Sequence, residues 1–242
     1  MVSNKTANTS KRNTNKRSLL SDTAILRSLK EGSIVISPFV RANLGTASYD
    51  VCLGEWLWRE QKPDGGYTTY SPWSEVDVRR VWGNAPEKAE PAKLWMDRHG
   101  PLIGIHTDDL IIWIAPGETI LAHTNEFIGG RAGRITTMMK ARSSMGRNFL
   151  EVCKCAGWGD VGYVNRWTLE ITNNSRYYHI PLVVGRRVGQ IAFFEVEPIV
   201  NSGRDYSSTG KYQSGEDLEK LMSKWTPEQM LPRMFMDRET RS

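Results

Sequence analysis

The carboxylates Asp160 and Glu170 and one basic turn fall between Lys140 and Ser175, and together they could serve one small anionic substrate. Arg142-Ser143-Ser144-Met145-Gly146-Arg147 sets two arginines around two hydroxyls and a glycine. Guanidinium forks, hydroxyls and turn amides all suit phosphate oxygens, although alone the segment also reads as an ordinary polar turn. Glu170 lies in Thr168-Leu169-Glu170-Ile171-Thr172. On a strand, Leu169 and Ile171 take one face, and Thr168, Glu170 and Thr172 the other. Alternation alone leaves Glu170 either on the surface or lining a site, with the surface favoured. Gly157, Gly159 and Gly162 bracket Asp160. They suggest a tight turn that a ligand could approach closely, or simply a hairpin.

Zinc chemistry finds little support. A zinc nucleoside deaminase needs a His or Cys near a Glu, then a Cys-x-x-Cys pair. The one close pair here is Cys153-Lys154-Cys155, predicted to share a face of a strand running Phe149–Cys155. None of His99, His106, His123 and His179 stands at helical ligand spacing from another, and no Walker loop or dinucleotide fingerprint occurs. Any hydrolysis is expected to proceed without zinc.

The elements that must position these groups are mostly short strands. A helix is predicted within Ser18–Gly32, capped by Ser21 or Asp22, with Ile25, Leu26 and Leu29 as its apolar stripe. Strands are predicted at Ile34–Ile36, Ala47–Gly54, Leu110–Ile114, Thr119–His123, Ile135–Lys140, Trp167–Thr172, His179–Val184 and Gln190–Val196. Such a run points to an all-β barrel or jelly roll. Arg59–Gly104 is rich in proline and holds Trp73, Trp82 and Trp95. Proline there breaks regular elements while the tryptophans call for burial, so this reads as an ordered excursion from the main sheet. Ser202–Ser214 reads as a mobile flap. Glu216–Trp225 turns helical, with Leu218, Leu221, Met222 and Trp225 on one face, and Thr226-Pro227 opens a further short helix.

Charge and composition narrow the classes. Residues 1–17 carry Lys5, Lys11, Arg12, Lys16 and Arg17 and no acid. Those five equal the whole excess of 32 basic over 27 acidic side chains. The body is therefore neutral, and neither nucleic acid nor membrane is expected as a partner. The tail reads as disordered. Three cysteines argue against a disulfide framework. With no long apolar run and no signal-peptide core, a soluble cytoplasmic protein is expected.

Taken in order, the motifs resemble the dCTP deaminase family of the trimeric dUTPase-like superfamily. Leu20-Ser21-Asp22 and Glu31-Gly32 are similar to its N-terminal helix. Ala47-Ser48-Tyr49-Asp50-Val51-Cys52-Leu53-Gly54 resembles its first motif, and Arg142-Ser143-Ser144-x-x-Arg147 its phosphate and catalytic turn. Ala156-Gly157-Trp158-Gly159-Asp160-Val161-Gly162-Tyr163, leading into Thr168-Leu169-Glu170, resembles the hairpin and catalytic strand. Gly189-Gln190-Ile191 and Gly210-Lys211-Tyr212-Gln213 resemble the rear motif and closing flap. The resemblance covers most of residues 18–214 except 59–104. It divides the chain into a tail (1–17), a dUTPase-like distorted β-barrel or jelly roll with a short N-terminal helix (18–214), and a C-terminal helical extension (215–242).

The resemblance implies hydrolytic deamination of dCTP to dUTP and ammonia. Further hydrolysis to dUMP and diphosphate is permitted because Asp160 and Glu170 are both present. Glu170 would be the general acid/base, Ser143 would orient water or the amino group, and Arg147 would keep Glu170 ionised and in place. The Ala156 carbonyl would accept the 4-amino group. Arg142, Ser144, Gln190, Tyr206, Lys211 and Gln213 would contact the triphosphate, with Mg2+ riding on the phosphates. A homotrimer with shared sites, and dTTP as an inhibitor, are further implications. Departures from the family pattern are Gly159 and Val161 beside Asp160, Cys52 where Arg is common, and Asn165 where Gly is common. The 59–104 insertion and the C-terminal helices are also extra, and would suit a viral or otherwise divergent member. Two other readings stand beside this one: a dUTP diphosphatase in which Glu170 is structural, and a non-catalytic nucleotide-sensing or interaction protein.

Overall fold

The computed structural model describes residues 18–131, 133–200, 205–213, 215 and 217–237. The basic tail and part of the expected flap lie outside them. Helix α1 (Asp22–Glu31) leads into β1 (Ile34–Ser37), β2 (Tyr49–Cys52) and β3 (Trp56–Arg59). The insertion follows with α2 (Glu75–Trp82), β4 (Glu87–Lys88), β5 (Glu90–Pro91) and α3 (Ala92–His99). Then come β6 (Leu110–Ile114), β7 (Thr119–Gly130), β8 (Ile135–Ala141), α4 (Ser143–Arg147), β9 (Leu150–Glu151) and β10 (Trp158–Gly159). The chain continues through β11 (Val164–Asn173), β12 (Ile180–Val183), β13 (Arg187–Glu195), α5 (Tyr206–Thr209) and α6 (Leu218–Lys224). It finishes with 3-10 turns at Pro227–Met230 and Met234–Met236.

All strand pairs are antiparallel. One sheet runs β4-β3-β7-β11-β9 with β1 also on β7; the others run β10-β8-β13-β2 and β12-β6-β5. The expected β architecture is therefore present, with its N-terminal helix and C-terminal helical elements. Among the described residues, no helix is long and apolar enough to cross a membrane.

The two faces of the β3-β7-β11 sheet bury different things. Leu57, Ile120, Ala122, Leu169 and Ile171 point into the main core. Trp58, Leu121 and Glu170 stand opposite one another across three strands, in the registers Trp58↔Leu121 and Leu121↔Glu170. Directly paired residues share a face, so this row looks outward from the core. The outer face is covered by a second cluster: Trp58 and Leu121 pack with Val78 of α2 and with Met230 and Leu231. The insertion and the C-terminal extension thus form one layer on the sheet that carries Glu170.

The insertion contains more regular structure than its prolines suggest. Helix α2 starts behind Ser74, whose hydroxyl accepts the Asp77 N–H at 3.3 Å, and stops at Gly83 with φ 88°. Helix α3 starts behind Pro91 and stops at Gly100 with φ 92°. Pro91 sits at the start of α3, where it removes no needed hydrogen bond, and Pro72 lies before α2 begins. The tryptophans differ in burial: Trp95 stacks between His99 and Trp113, with centroids 3.8 Å apart in both cases, whereas Trp73 is exposed.

Other expectations need adjusting. In α1, Ile25 is buried and Leu29 packs on the core, but Leu26 is exposed. Ser21 makes no side-chain cap; Asp22 accepts the Thr23 N–H instead. Strand β7 extends to Gly130, well past His123. The strand expected over Phe149–Cys155 is confined to Leu150–Glu151, and Lys154 turns back with φ 41°. Cys153 is consequently buried and Cys155 exposed, so they do not share a face.

His123 is a core residue. Its Nε2 accepts the Trp56 N–H at 3.2 Å and its Nδ1 faces the Thr124 carbonyl at 2.8 Å. Burial pushes its pKa down to about 4, so the ring is neutral. The ring fills the space above Gly54, where a Cβ would come within 1.9 Å of it. It also packs on Trp225 of the extension, centroids 4.6 Å apart. Arg166 lies over both Phe127 and Trp225, at 5.2 and 4.7 Å, and fastens that segment further.

Candidate active site

Glu170 opens onto a cavity of about 480 Å³ between the sheet, the hairpin and the outer layer. Alternation along β11 puts it there: Leu169 and Ile171 are fully buried, while Thr168 and Glu170 face the cavity. The surface alternative for Glu170 is therefore overturned. Burial raises its carboxyl to about 7, opposed by a hydrogen bond from its own backbone N–H and by the Lys154 ammonium. A carboxyl at that value holds both protonation states near neutrality, which suits a group that takes and returns a proton.

Asp160, Ala156 and Tyr206 line the same cavity. Asp160 is held at the hairpin tip, where its carbonyl accepts the Tyr163 N–H at 3.0 Å. The glycines beside it clear space for protein: a Cβ on Gly157 would meet the Met139 carbonyl at 2.3 Å, and one on Gly159 the Thr137 hydroxyl at 2.3 Å. Tyr206 stands edge-on to Tyr163, with centroids 5.0 Å apart.

The basic turn lies elsewhere in the chain. Helix α4 carries Ser143, Ser144 and Arg147 exposed, and none of the three lines the Glu170 cavity. No hydrogen bond or ion pair to the Ser143 hydroxyl or the Arg147 guanidinium is found among the described residues. Within one chain, then, the cation that acts on Glu170 is Lys154, not Arg147. Arg142 and Gln190 meet at Asp50: its carboxylate stands 3.2 Å from Arg142 Nε and accepts from Gln190 Nε2 at 3.0 Å and Arg187 Nη1 at 3.1 Å.

The flap residues divide. Gln213 is buried; its Oε1 accepts the Val164 N–H at 2.7 Å and its Nε2 donates to Gly162 and Gly215 carbonyls at 3.0 Å. That side chain is used by the fold. Lys211 pairs with Asp237 of the extension. Sequence reasoning missed Asp50 as the anchor of Arg142 and Gln190; it is buried together with its neighbours on β2. It also missed Lys154, Trp82 and Met230 as cavity lining, for which no local pattern gives a signal.

A family model described as dCTP deaminase-like matches residues 19–196. The chain belongs to this family. A dCTP deaminase, dUMP-forming, of Methanopyrus kandleri is 33% identical over 203 residues, covering 82% of this chain and 92% of the relative. The Methanococcus vannielii protein of the same description is 28% identical over 200 residues, covering 80% and 89%. A 2'-deoxycytidine 5'-triphosphate deaminase from Agrobacterium tumefaciens superposes with a TM-score of 0.52 at 16% identity. That superposition spans 78% of this chain and 52% of the other, and speaks for the fold. The family match ends at residue 196, so the flap and the extension that border the Glu170 cavity lie beyond it.

Proposed function

We propose that the protein deaminates dCTP by hydrolysis and carries the product on to dUMP and diphosphate. The observation that carries this is Glu170: a carboxyl raised to about 7, facing a nucleotide-sized cavity beside Ala156 and Asp160. The dUMP-forming relatives support the second step.

In this reading Glu170 takes a proton from water, and the oxygen attacks C4 of cytosine. That proton passes to N3 of the ring and stays there, while the proton left on the added hydroxyl moves through Glu170 to the departing amine. The C4–N bond breaks, ammonia leaves, and a carbonyl forms at C4. Ala156 offers its backbone carbonyl to the 4-amino group. Asp160 then activates a second water for attack on the α-phosphate, releasing diphosphate. Every proton transfer uses a carboxylate, so the scheme needs no zinc. Mg2+ enters as part of the substrate, on the phosphate oxygens; among the described residues no three His, Cys, Asp or Glu side chains converge to form a cage for it.

Ser143 and Arg147 enter from a second copy of the chain. Their exposure on α4, away from Glu170, fits a homotrimer whose sites are shared between neighbours. Arg142, Ser144 and Gln190 would come with them and meet the triphosphate, together with Tyr206 and Lys211. Gln213 is assigned to holding the flap.

Ammonia and diphosphate should be measured separately with dCTP and with dUTP. Both products are expected from dCTP. Diphosphate from dUTP without ammonia from dCTP would reduce the protein to a diphosphatase, and binding without turnover would make it a sensor.

A further inference from the structure

The layer that covers the outer face of the sheet ends at the reacting carboxylate. Leu121 is paired directly with Glu170 and is buried among Met230, Leu231 and Trp58, with Trp82 packed on the same cluster. Trp82, Leu121 and Met230 also line the cavity into which Glu170 opens. Two of these come from segments outside the shared motifs: Trp82 from α2 of the insertion and Met230 from the 3-10 turn of the extension. Both segments are fixed to the sheet: the Trp58 indole donates to the Pro227 carbonyl at 2.8 Å, and Val78 of α2 packs in the same cluster as Trp58.

Cytosine has one apolar edge. O2, N3 and the 4-amino group all hydrogen-bond, while C5–H and C6–H do not. If Glu170 serves C4, its two sides must meet N3 and C5. Along the strand stands Thr168, a hydroxyl that can answer N3 or O2. Across the strand stands the apolar cluster, which would leave a polar edge unpaired. The apolar edge therefore faces Leu121.

Resting on the deaminase reading above, we infer that Trp82, Leu121 and Met230 form a wall against the C5–C6 edge of the pyrimidine. Through it the insertion and the extension decide which 5-substituted cytosine nucleotides enter. The wall carries no polar atom beyond the Trp82 indole N–H, so a small apolar substituent such as methyl is the class it discriminates.

The test compares 5-methyl-dCTP with dCTP in the full-length protein and in Met230→Ala and Trp82→Ala. Shortening the wall is expected to raise the ratio of kcat/KM for the methylated over the unmodified nucleotide about 10-fold or more, the usual worth of room for one methyl. Met230→Leu, which keeps the volume, guards against loss of folding and is expected to move the ratio in a smaller step. The ratio of dissociation constants for the two nucleotides is read in parallel, because it needs no turnover. A binding ratio within twofold of wild type in every folded variant overturns the wall. Absence of ammonia from dCTP with a shifted binding ratio overturns the deaminase reading and leaves the wall standing.

Discussion

Asp50 Oδ2 stands 3.2 Å from Nε of Arg142, and its other oxygen accepts from Gln190. One largely buried carboxylate thus aims two groups proposed to meet the triphosphate. Asp50→Asn removes the charge and keeps the shape. Charge-assisted hydrogen bonds contribute about 1.5–3 kcal/mol, so KM for dCTP is expected to rise about 10- to 100-fold with kcat little changed. Steady-state kinetics decide this; a fall in kcat at constant KM would place Asp50 in the chemistry instead.

Glu170→Gln is expected to keep nucleotide binding and lose deamination by ~10²–10⁴-fold. The wild-type rate should fall as pH drops below about 7, because the base must be ionised to accept the water proton. Ammonia release by the variant at the normal rate would remove Glu170 from its role.

Glu170 and His123 oppose one another in the dependence of stability on pH. The folded pKa of Glu170 is raised from 4.5 to about 7, so the folded chain binds the extra proton and gains stability as pH falls through that window. His123 is depressed from 6.5 to about 4, so it loses stability over nearly the same range. Each amounts to about 3 kcal/mol. Wild-type melting temperature is expected to be nearly flat between these limits, and that of Glu170→Gln to fall with acid. Parallel melting curves for the two proteins would refute the pairing.

Sharing of sites predicts complementation. Chains carrying Glu170→Gln and chains carrying Arg147→Ala are each expected to be inactive. Mixed one to one and refolded together, they should recover about a quarter of wild-type activity, because that fraction of sites pairs an intact Glu170 with an intact Arg147 across a cyclic contact. No recovery from a demonstrably mixed oligomer would return both residues to the same chain.

Gln213→Ala should loosen the flap without touching the phosphates. It breaks three hydrogen bonds made by a buried amide, a cost of about 2–3 kcal/mol. Faster proteolysis near residue 210 is the expected readout. Unchanged stability with a higher KM would restore Gln213 to the substrate.

What was legible in the sequence was local. The alternation Thr168-Leu169-Glu170-Ile171 put Leu169 and Ile171 on the core face and Thr168 and Glu170 on the other, because period two is a property of the strand itself; that the other face lines a cavity was not legible. Helix α1 ended at Gly32 because only glycine relaxes easily at φ 79°. The position of Ser143 was not legible, since nothing in a segment records which surface its partner comes from. Met230 was equally opaque: it reaches the cavity through the docking of Trp225 on His123, a contact between residues about a hundred positions apart. Proline density misled for a related reason, because a proline at a helix start and one inside a helix look alike in composition.

Gly54 and Trp225 of the extension both stand against His123. A Cβ at position 54 would overlap the imidazole, the imidazole packs on Trp225, and Trp225 packs on the cluster that holds Met230. If the proposed wall holds, a substitution at position 54 is therefore expected to act on substrate choice through a relay of imidazole, indole and thioether.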